Sequence, residues 1–160
     1  MTSCDYCGTG ILFGANKDGD LRFCSPDCAT KADWVRAALA LPREEADHCV
    51  RETHQSPCPR CGGPGPLDVY TSQWVYSALA WTSWGSRPEI CCQSCGRTKY
   101  LKSGVFSLLL GWWGFPFGFV ITPLQVCRNL GGLLGIGAPD PGSPSPALDR
   151  MVRLRLTARK

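Results

Sequence analysis

The sequence predicts a small α+β protein held together by metal-bound cysteines more than by a large core, and three observations predict it. The chain has 160 residues and carries 11 Cys against only 2 His. Eight of those Cys form four close pairs: Cys4 with Cys7, Cys24 with Cys28, Cys58 with Cys61 and Cys92 with Cys95. Around the pairs, short β-branched and aromatic runs alternate with helical patterns, and one long uncharged apolar stretch follows the last pair. A chain this short has room for one domain or for two small modules with little core each. Met1-Thr2-Ser3-Cys4 is not a charged region followed by an apolar run, so export is not expected. A disulfide scaffold belongs to oxidising compartments, which leaves thiols gathered four at a time around metal as the expected use of these cysteines.

Charge divides the chain. Residues 1–56 hold 6 Lys/Arg and 9 Asp/Glu, net −3, whereas residues 57–160 hold 11 Lys/Arg and 4 Asp/Glu, net +7. Each four-thiolate site around a divalent ion adds about −2, so two such sites take the formal +4 to about zero, with halves near −5 and +5. A basic partner surface therefore belongs to the second half only, and the overall balance does not by itself point to nucleic acid.

In residues 1–41, Cys4-Asp-Tyr-Cys7-Gly8 is a knuckle that aims two sulfurs at one point, with Gly8 supplying the backbone freedom. Ile11-Leu-Phe13 and Leu21-Arg-Phe-Cys24 are strand candidates about the turn signal Asn16-Lys-Asp-Gly19, so a hairpin returns Cys24 to the knuckle. Ser25 has N-cap chemistry, Pro26 suits the first helical position and Asp27 complements the dipole, which puts Cys28 in a first helical turn. That helix is expected to run on through Ala29, Ala32, Val35, Ala38, Leu39 and Leu41, with Trp34 its largest apolar side chain, and to stop at Pro42. Knuckle, hairpin, then a Cys pair straddling a helix start is a treble-clef layout.

Phe23-Cys24-Ser25-Pro26-Asp27-Cys28, joined to the upstream Cys4-x-x-Cys7, resembles the FCS-type treble-clef zinc fingers, related to the TRASH and MYM fingers. The resemblance implies a zinc site at Cys4, Cys7, Cys24 and Cys28, and implies protein or nucleic-acid contact without an activity.

Residues 42–56 read as a short polar helix and linker, and residues 57–103 as a second module. Cys58-Pro-Arg-Cys61-Gly62 and Cys92-Gln-Ser-Cys95-Gly96 read as two matched knuckles, the signature of a zinc ribbon whose ligands are Cys58, Cys61, Cys92 and Cys95. The residues between them favour strands, with Gly85-Ser-Arg-Pro88 as the turn before Glu89-Ile-Cys-Cys92 returns. Cys91 is expected on the strand beside the metal. Cys58-Pro-Arg-Cys61 also has the form of a redox motif, but such motifs open a helix in a βαβ unit, and this one precedes Gly-Gly-Pro-Gly-Pro. A ribbon can bind nucleic acid, with Trp74, Tyr76, Trp81, Trp84 or Tyr100 as stacking faces and Arg60, Arg87, Arg97, Lys99 and Lys102 as phosphate contacts.

His48, Cys49 and His54 fall in a helix dense in Glu and Arg, and a solvated face is expected there. Asn16, Asp18 and Asp20 lack the Glu and Gly of a calcium loop and read as turn residues. Cys49, Cys91 and Cys127 receive no role.

Val105 to Cys127 contains no charged residue. Its length alone permits a bilayer span. Pro116, Pro123, Gly111, Gly114 and Gly118 interrupt it, however, Trp112-Trp113 sit in its middle, and Arg or Lys flank both ends. A hairpin fits better: half-helices over about residues 104–113 and 119–135, joined by Gly114-Phe-Pro-Phe-Gly118, dipping into one leaflet or lying on it. The competing reading makes residues 104–137 an internal or oligomeric core. Residues 138–146 are a Pro-rich spacer, and 147–160 a basic tail with little order of its own. Residues 57–131 also resemble bacterial proteins that join a zinc ribbon to a GWWGFP-type apolar segment, a resemblance that carries no activity.

The sequence thus predicts a zinc-stabilised α+β chain: a treble-clef finger plus a β-rich zinc ribbon, with an apolar helical hairpin. It points to two structural Zn2+ ions and no catalytic machinery or small-molecule substrate. A non-catalytic adaptor is expected, cytoplasmic and associated with a membrane surface or apolar protein partner through residues 104–137. The alternative is a nucleic-acid-binding ribbon.

Overall fold

The computed structural model describes residues 3–11, 14–78, 81–113 and 117–158. It is a small α+β structure with two antiparallel two-stranded sheets and six helices among the described residues. The chain divides into two compact units, residues 1–54 with 144–160, and residues 55–143.

In the first unit, β1 (Asn16–Asp18) and β2 (Leu21–Phe23) pair with Asn16 opposite Phe23. The hairpin turns at Gly19-Asp20, Gly19 in the left-handed region at φ 61°, so most of the expected turn Asn16–Gly19 is strand. Of the expected strand Ile11–Phe13, Leu12 and Phe13 lie outside the described residues, and Gly10 bridges to Ser3. The expected single helix is two: α1 (Pro26–Ala29) and α2 (Ala32–Leu39), parted at Thr30-Lys31. Thr30 closes α1 by its own N–H and ties its hydroxyl to the Asp27 carbonyl at 2.9 Å, a local bond that competes with helix continuation. α2 buries Ala32, Val35 and Ala38 and leaves Trp34 outside, beside the Lys31 ammonium. α3 (Arg43–Gln55) is the polar helix expected, but His54 is buried on the same face as Ala46 and Val50, so the solvated face holds at His48 and not at His54.

The basic tail is not loose. Residues Pro146–Thr157 form α6, capped by Ser145, whose Oγ accepts the Leu148 N–H at 3.2 Å, with Pro146 at the first position. α6 packs on α2, burying Leu148 and Val152, and Leu154 joins the core of Cys4, Phe23, Ala32 and Val35. Arg153 pairs with Asp149 of its own helix at 2.8 Å and ties α6 to α3 through Asp47 at 3.2 Å.

The second unit is built on one long hairpin. β3 (Leu67–Ala78) and β4 (Trp81–Cys92) pair from Leu67 opposite Cys92 to Ala78 opposite Trp81. α4 (Gln93–Leu110) starts directly from β4, and α5 (Phe117–Leu133) returns antiparallel to it. Because α4 runs unbroken across residues 103 and 104, the expected ribbon and the apolar helices are one body, both helices packing against β3. The second half-helix, expected at about 119–135, matches α5 to within two residues, whereas the first, expected at about 104–113, is the end of a helix that starts at Gln93; residues 114–116 of the connection lie outside the described residues.

The packing of α4 against α5 is inverted in polarity. Gly104 and Gly111 of α4 meet Asn129 and Thr122 of α5, and a Cβ added at Gly104 would sit 3.6 Å from Asn129 Cβ. Ser107 and Thr122 are 0% exposed, whereas Leu109, Trp113 and Val120 are 65%, 72% and 69% exposed. Small residues let the helix backbones approach, polar side chains lie inside, with Ser107 and Asn129 bonded to the β3 backbone, and the large apolar ones face outward. No helix among the described residues is long and apolar enough to cross a membrane.

Candidate metal centres

Two sets of four cysteines come together, Cys4, Cys7, Cys24 and Cys28 in the first unit and Cys58, Cys61, Cys92 and Cys95 in the second. Within each set the sulfurs all lie within 4.8 Å of one another. Cys7 to Cys24 is 3.5 Å, Cys24 to Cys28 is 3.6 Å and Cys61 to Cys92 is 3.6 Å. A tetrahedral ion with metal–sulfur bonds of about 2.3 Å places its ligands about 3.8 Å apart, while a disulfide needs about 2 Å. The spacing therefore fits four thiolates around one ion, and all 11 cysteines are free thiols.

The same local device builds both knuckles. In the first, Cys4 N–H donates to the Thr9 carbonyl at 2.8 Å and Gly8 N–H to the Cys4 carbonyl at 2.9 Å. In the second, Cys58 N–H donates to Gly63 O and Gly62 N–H to Cys58 O, each at 2.8 Å. Gly8 and Gly62 close these turns at φ 76° and 68°, conformations that a side chain would strain.

The remaining ligands are also placed alike. Cys24 follows β2 and Cys28 lies in the first turn of α1, where Ser25 Oγ accepts its N–H at 3.2 Å. Cys92 ends β4 and Cys95 lies in the first turn of α4. The second knuckle expected at Cys92-x-x-Cys95-Gly96 is thus a strand end running into a helix. Gly96 is helical, and it is small because Tyr70 lies over it: a Cβ there would meet the ring at 2.5 Å.

Electrostatics within each cluster are uneven. Burial opposes ionisation of Cys4, but the N–H groups of Cys7, Cys24 and Tyr6 outweigh it and bring the thiol down to about 7. Burial likewise opposes Cys58, and the N–H groups of Cys92, Arg60 and Cys61 bring it down to about 6. The Cys92 N–H reaches Cys58 Sγ at 3.4 Å. The Ser94 hydroxyl, 3.2 Å from Cys92 Sγ, and then the Cys95 N–H lower Cys92. Their neighbours go the other way. Burial, then Cys7 and Cys28, raise Cys24; burial raises Cys28; and Cys61 and Cys92 push Cys95 up to about 12. Sulfurs this close cannot all carry charge without a positive ion between them, and a divalent ion reverses the penalty.

Cys91 is fully buried on β4 outside the group of four, its thiol pushed up to about 11 by burial and by Glu89 and Cys58. Cys49 and Cys127 join neither centre. Of the proposed phosphate contacts, Arg60 and Lys99 both pair with Glu89, at 3.3 and 2.9 Å, while Arg87, Arg97 and Lys102 are exposed. Trp74 and Tyr76 stack with centroids 5.8 Å apart, and the Arg87 guanidinium lies 5.7 Å from the Trp74 ring. The side chains of Trp81 and Trp84 lie outside the described residues. Sequence reasoning missed Thr9 and Ser94, whose hydroxyls touch Cys7 and Cys92 sulfur, and a small hydroxyl residue two places after a knuckle or strand-end Cys is the signal that identifies them. No family model, curated protein or solved structure matches this chain.

Proposed function

We propose that this is a non-catalytic, two-zinc adaptor that seats residues 104–137 in the cytoplasmic leaflet of a membrane. The observation that supports it is the inverted packing of α4 and α5, with Ser107, Thr122, Gln125 and Asn129 inside and Leu109, Trp113, Val120 and Leu124 outside. In water such a face is costly, at about 25 cal/mol per Å2 of exposed apolar surface, whereas against acyl chains that cost disappears. Four sulfurs fill a tetrahedral ion's coordination and leave no position for a substrate, so both zinc ions act as staples for units too small to fold on their cores. The first unit fits the treble-clef type, and the second follows the same order of knuckle, hairpin and helix start with a far longer hairpin.

The test is cell fractionation with a carbonate wash, paired with a zinc count. Wild-type protein is expected in the washed membrane fraction, and a Leu109→Glu/Val120→Glu variant in the soluble fraction with two zinc ions still bound. Wild-type protein that stays soluble and monomeric overturns the reading. Soluble protein in a defined oligomer would assign the face to self-association. A nucleic-acid reading draws on the Trp74–Tyr76 stack beside Arg87; it requires oligonucleotide binding that falls steeply with salt.

A further inference from the structure

The apolar helices are not alone in losing charge toward one end of the second unit. β3 and β4 are uncharged from Val69 to Ser86, and α4 and α5 from Ser103 to Cys127. Four contacts align these stretches. Arg87 is the register partner of Ser72. The next residue, Gln73, is bonded through its backbone N–H and carbonyl to the Asn129 side chain, at 2.9 and 2.7 Å. Asn129 in turn faces Gly104. One step further from the metal, Val75 N–H donates to Ser107 Oγ at 3.1 Å, so β3 and α4 progress together in the same direction.

Arg87, Lys102 and Arg128 therefore lie at nearly one level, and each is the last charged residue on its segment before the uncharged end. Lys102 is two helical residues from Gly104, about 3 Å along the axis, and Arg128 is adjacent to Asn129. All three are exposed. Exposed apolar side chains also occur on the metal side, at Leu130, Leu134 and Ile136, so charge rather than apolarity marks the level. Beyond it the two hairpins extend by similar amounts. β3 runs five residues from Gln73 to its end at Ala78, about 17 Å. α5 runs twelve residues from Asn129 back to its start at Phe117, about 18 Å. One leaflet's share of a hydrocarbon layer of about 30 Å is about 15 Å.

We propose that the β3–β4 end enters the same lipid leaflet alongside the α4–α5 end, with Arg87, Lys102 and Arg128 forming a cationic collar at the level of anionic headgroups. The proposal rests on the membrane reading above and adds the β-hairpin to it as a second inserting element. Charge complementarity selects the occupant: three cations at one level, none of them in an ion pair among the described residues, match the negative surface of an anionic leaflet and not an apolar protein groove. Arg87 lying along Trp74 is the pairing of charge and amphipathic ring that suits a membrane–water boundary. The outer edge of β3 is closed by Asn129 and Ser107, so the strand can leave water without orphaning the Gln73 and Val75 backbone groups.

The experiment uses full-length zinc-loaded protein and vesicles of phosphatidylcholine and phosphatidylglycerol, with brominated acyl chains as the tryptophan quencher. Five of the 6 Trp lie in the second unit, namely Trp74, Trp81, Trp84, Trp112 and Trp113. In a Trp112→Phe/Trp113→Phe variant the second unit keeps only its β-hairpin tryptophans, and quenching is expected to persist. If wild-type emission is quenched but the variant's is not, the helices insert without the hairpin and this proposal is overturned while the membrane reading stands. If wild-type protein neither floats with vesicles nor is quenched, both fall. Replacing Arg87, Lys102 and Arg128 by Gln should weaken binding to the anionic vesicles about fivefold per cation, about a hundredfold in all, and leave binding to pure phosphatidylcholine unchanged. An equal loss on both vesicle types overturns the collar. Two zinc ions per chain in each variant establish that it is folded.

Discussion

The side-chain amide of Asn129 forms a two-bond ring with the backbone of Gln73, its Oδ1 accepting the N–H at 2.9 Å and its Nδ2 donating to the carbonyl at 2.7 Å. Asn129 acts here as a stand-in for the next strand. β3 has β4 on one side only, and the amide supplies on the other side the donor and acceptor that a neighbouring strand would.

Asn129→Leu should consequently cost more than the polarity of one side chain suggests. Two backbone groups beneath α5 lose their partners, which puts the destabilisation at about 2–4 kcal/mol. Chemical denaturation measures it, and amide exchange at Gln73 should accelerate selectively. An unchanged midpoint would show that water replaces the amide without penalty.

Two glycines of α4 should respond oppositely to Ala. At Gly96 the new Cβ would meet the Tyr70 ring at 2.5 Å, and the overlap should cost about 1–3 kcal/mol. At Gly104 the nearest atom is Asn129 Cβ at 3.6 Å, ordinary contact, so helix propensity dominates and Ala should stabilise by up to about 1 kcal/mol. Thermal melts of the two variants decide it, and the same sign at both positions would contradict the packing described.

Metal count separates the clustered cysteines from their neighbour. Cys58→Ser should reduce the zinc measured by native mass spectrometry from two ions to one, whereas Cys91→Ser should retain two. Cys91, buried and held as a thiol, should also resist alkylation until the protein is unfolded. Loss of one ion on replacing Cys91 would place it in the centre.

Glu89 should make acid stability depend on one side chain. Lys99 holds its carboxyl below the ordinary 4.5, against a burial effect of opposite sign and with further help from Arg60. A folded value below the unfolded one means that the stabilisation is complete above the ordinary carboxylate range and disappears as pH falls through the depressed value. Glu89→Gln should therefore be less stable than wild type at neutral pH, by under about 1 kcal/mol because the pair is partly solvated, and equal to it in acid. Comparing the two proteins at each pH cancels acid release of metal, which is common to both. A difference that grows as pH falls would reverse the assignment.

The two four-cysteine clusters were legible because thiolate chemistry demands residue type and spacing together: Cys4-x-x-Cys7-Gly8 and Cys58-x-x-Cys61-Gly62 form knuckles, and Ser25-Pro26 announces a helix start. Ser145-Pro146 is the same signal and forms the same cap, yet the flanking prolines and the basic run after it suggest a loose tail. What orders α6 is the buried pair Leu148 and Val152 against α2, a long-range contact with no local trace. Gly96 misled for a related reason. After a Cys pair, Gly reads as a knuckle, but here it is small so that Tyr70 can lie over a helix. The polar inner face of α4 and α5 was equally invisible, since Ser107 and Asn129 acquire meaning only once the helices pack on β3.

Because α6 completes the unit that Cys4 begins, the second unit is nested inside the first and does not merely follow it. A ribosome releases residues 55–143 before the helix that the N-terminal finger needs. The second four-cysteine cluster can therefore gather before α6 is made, while the first unit keeps part of its apolar face open until Leu148, Val152 and Leu154 emerge. The core around Cys4 is thus closed by a segment made after the whole of the second unit.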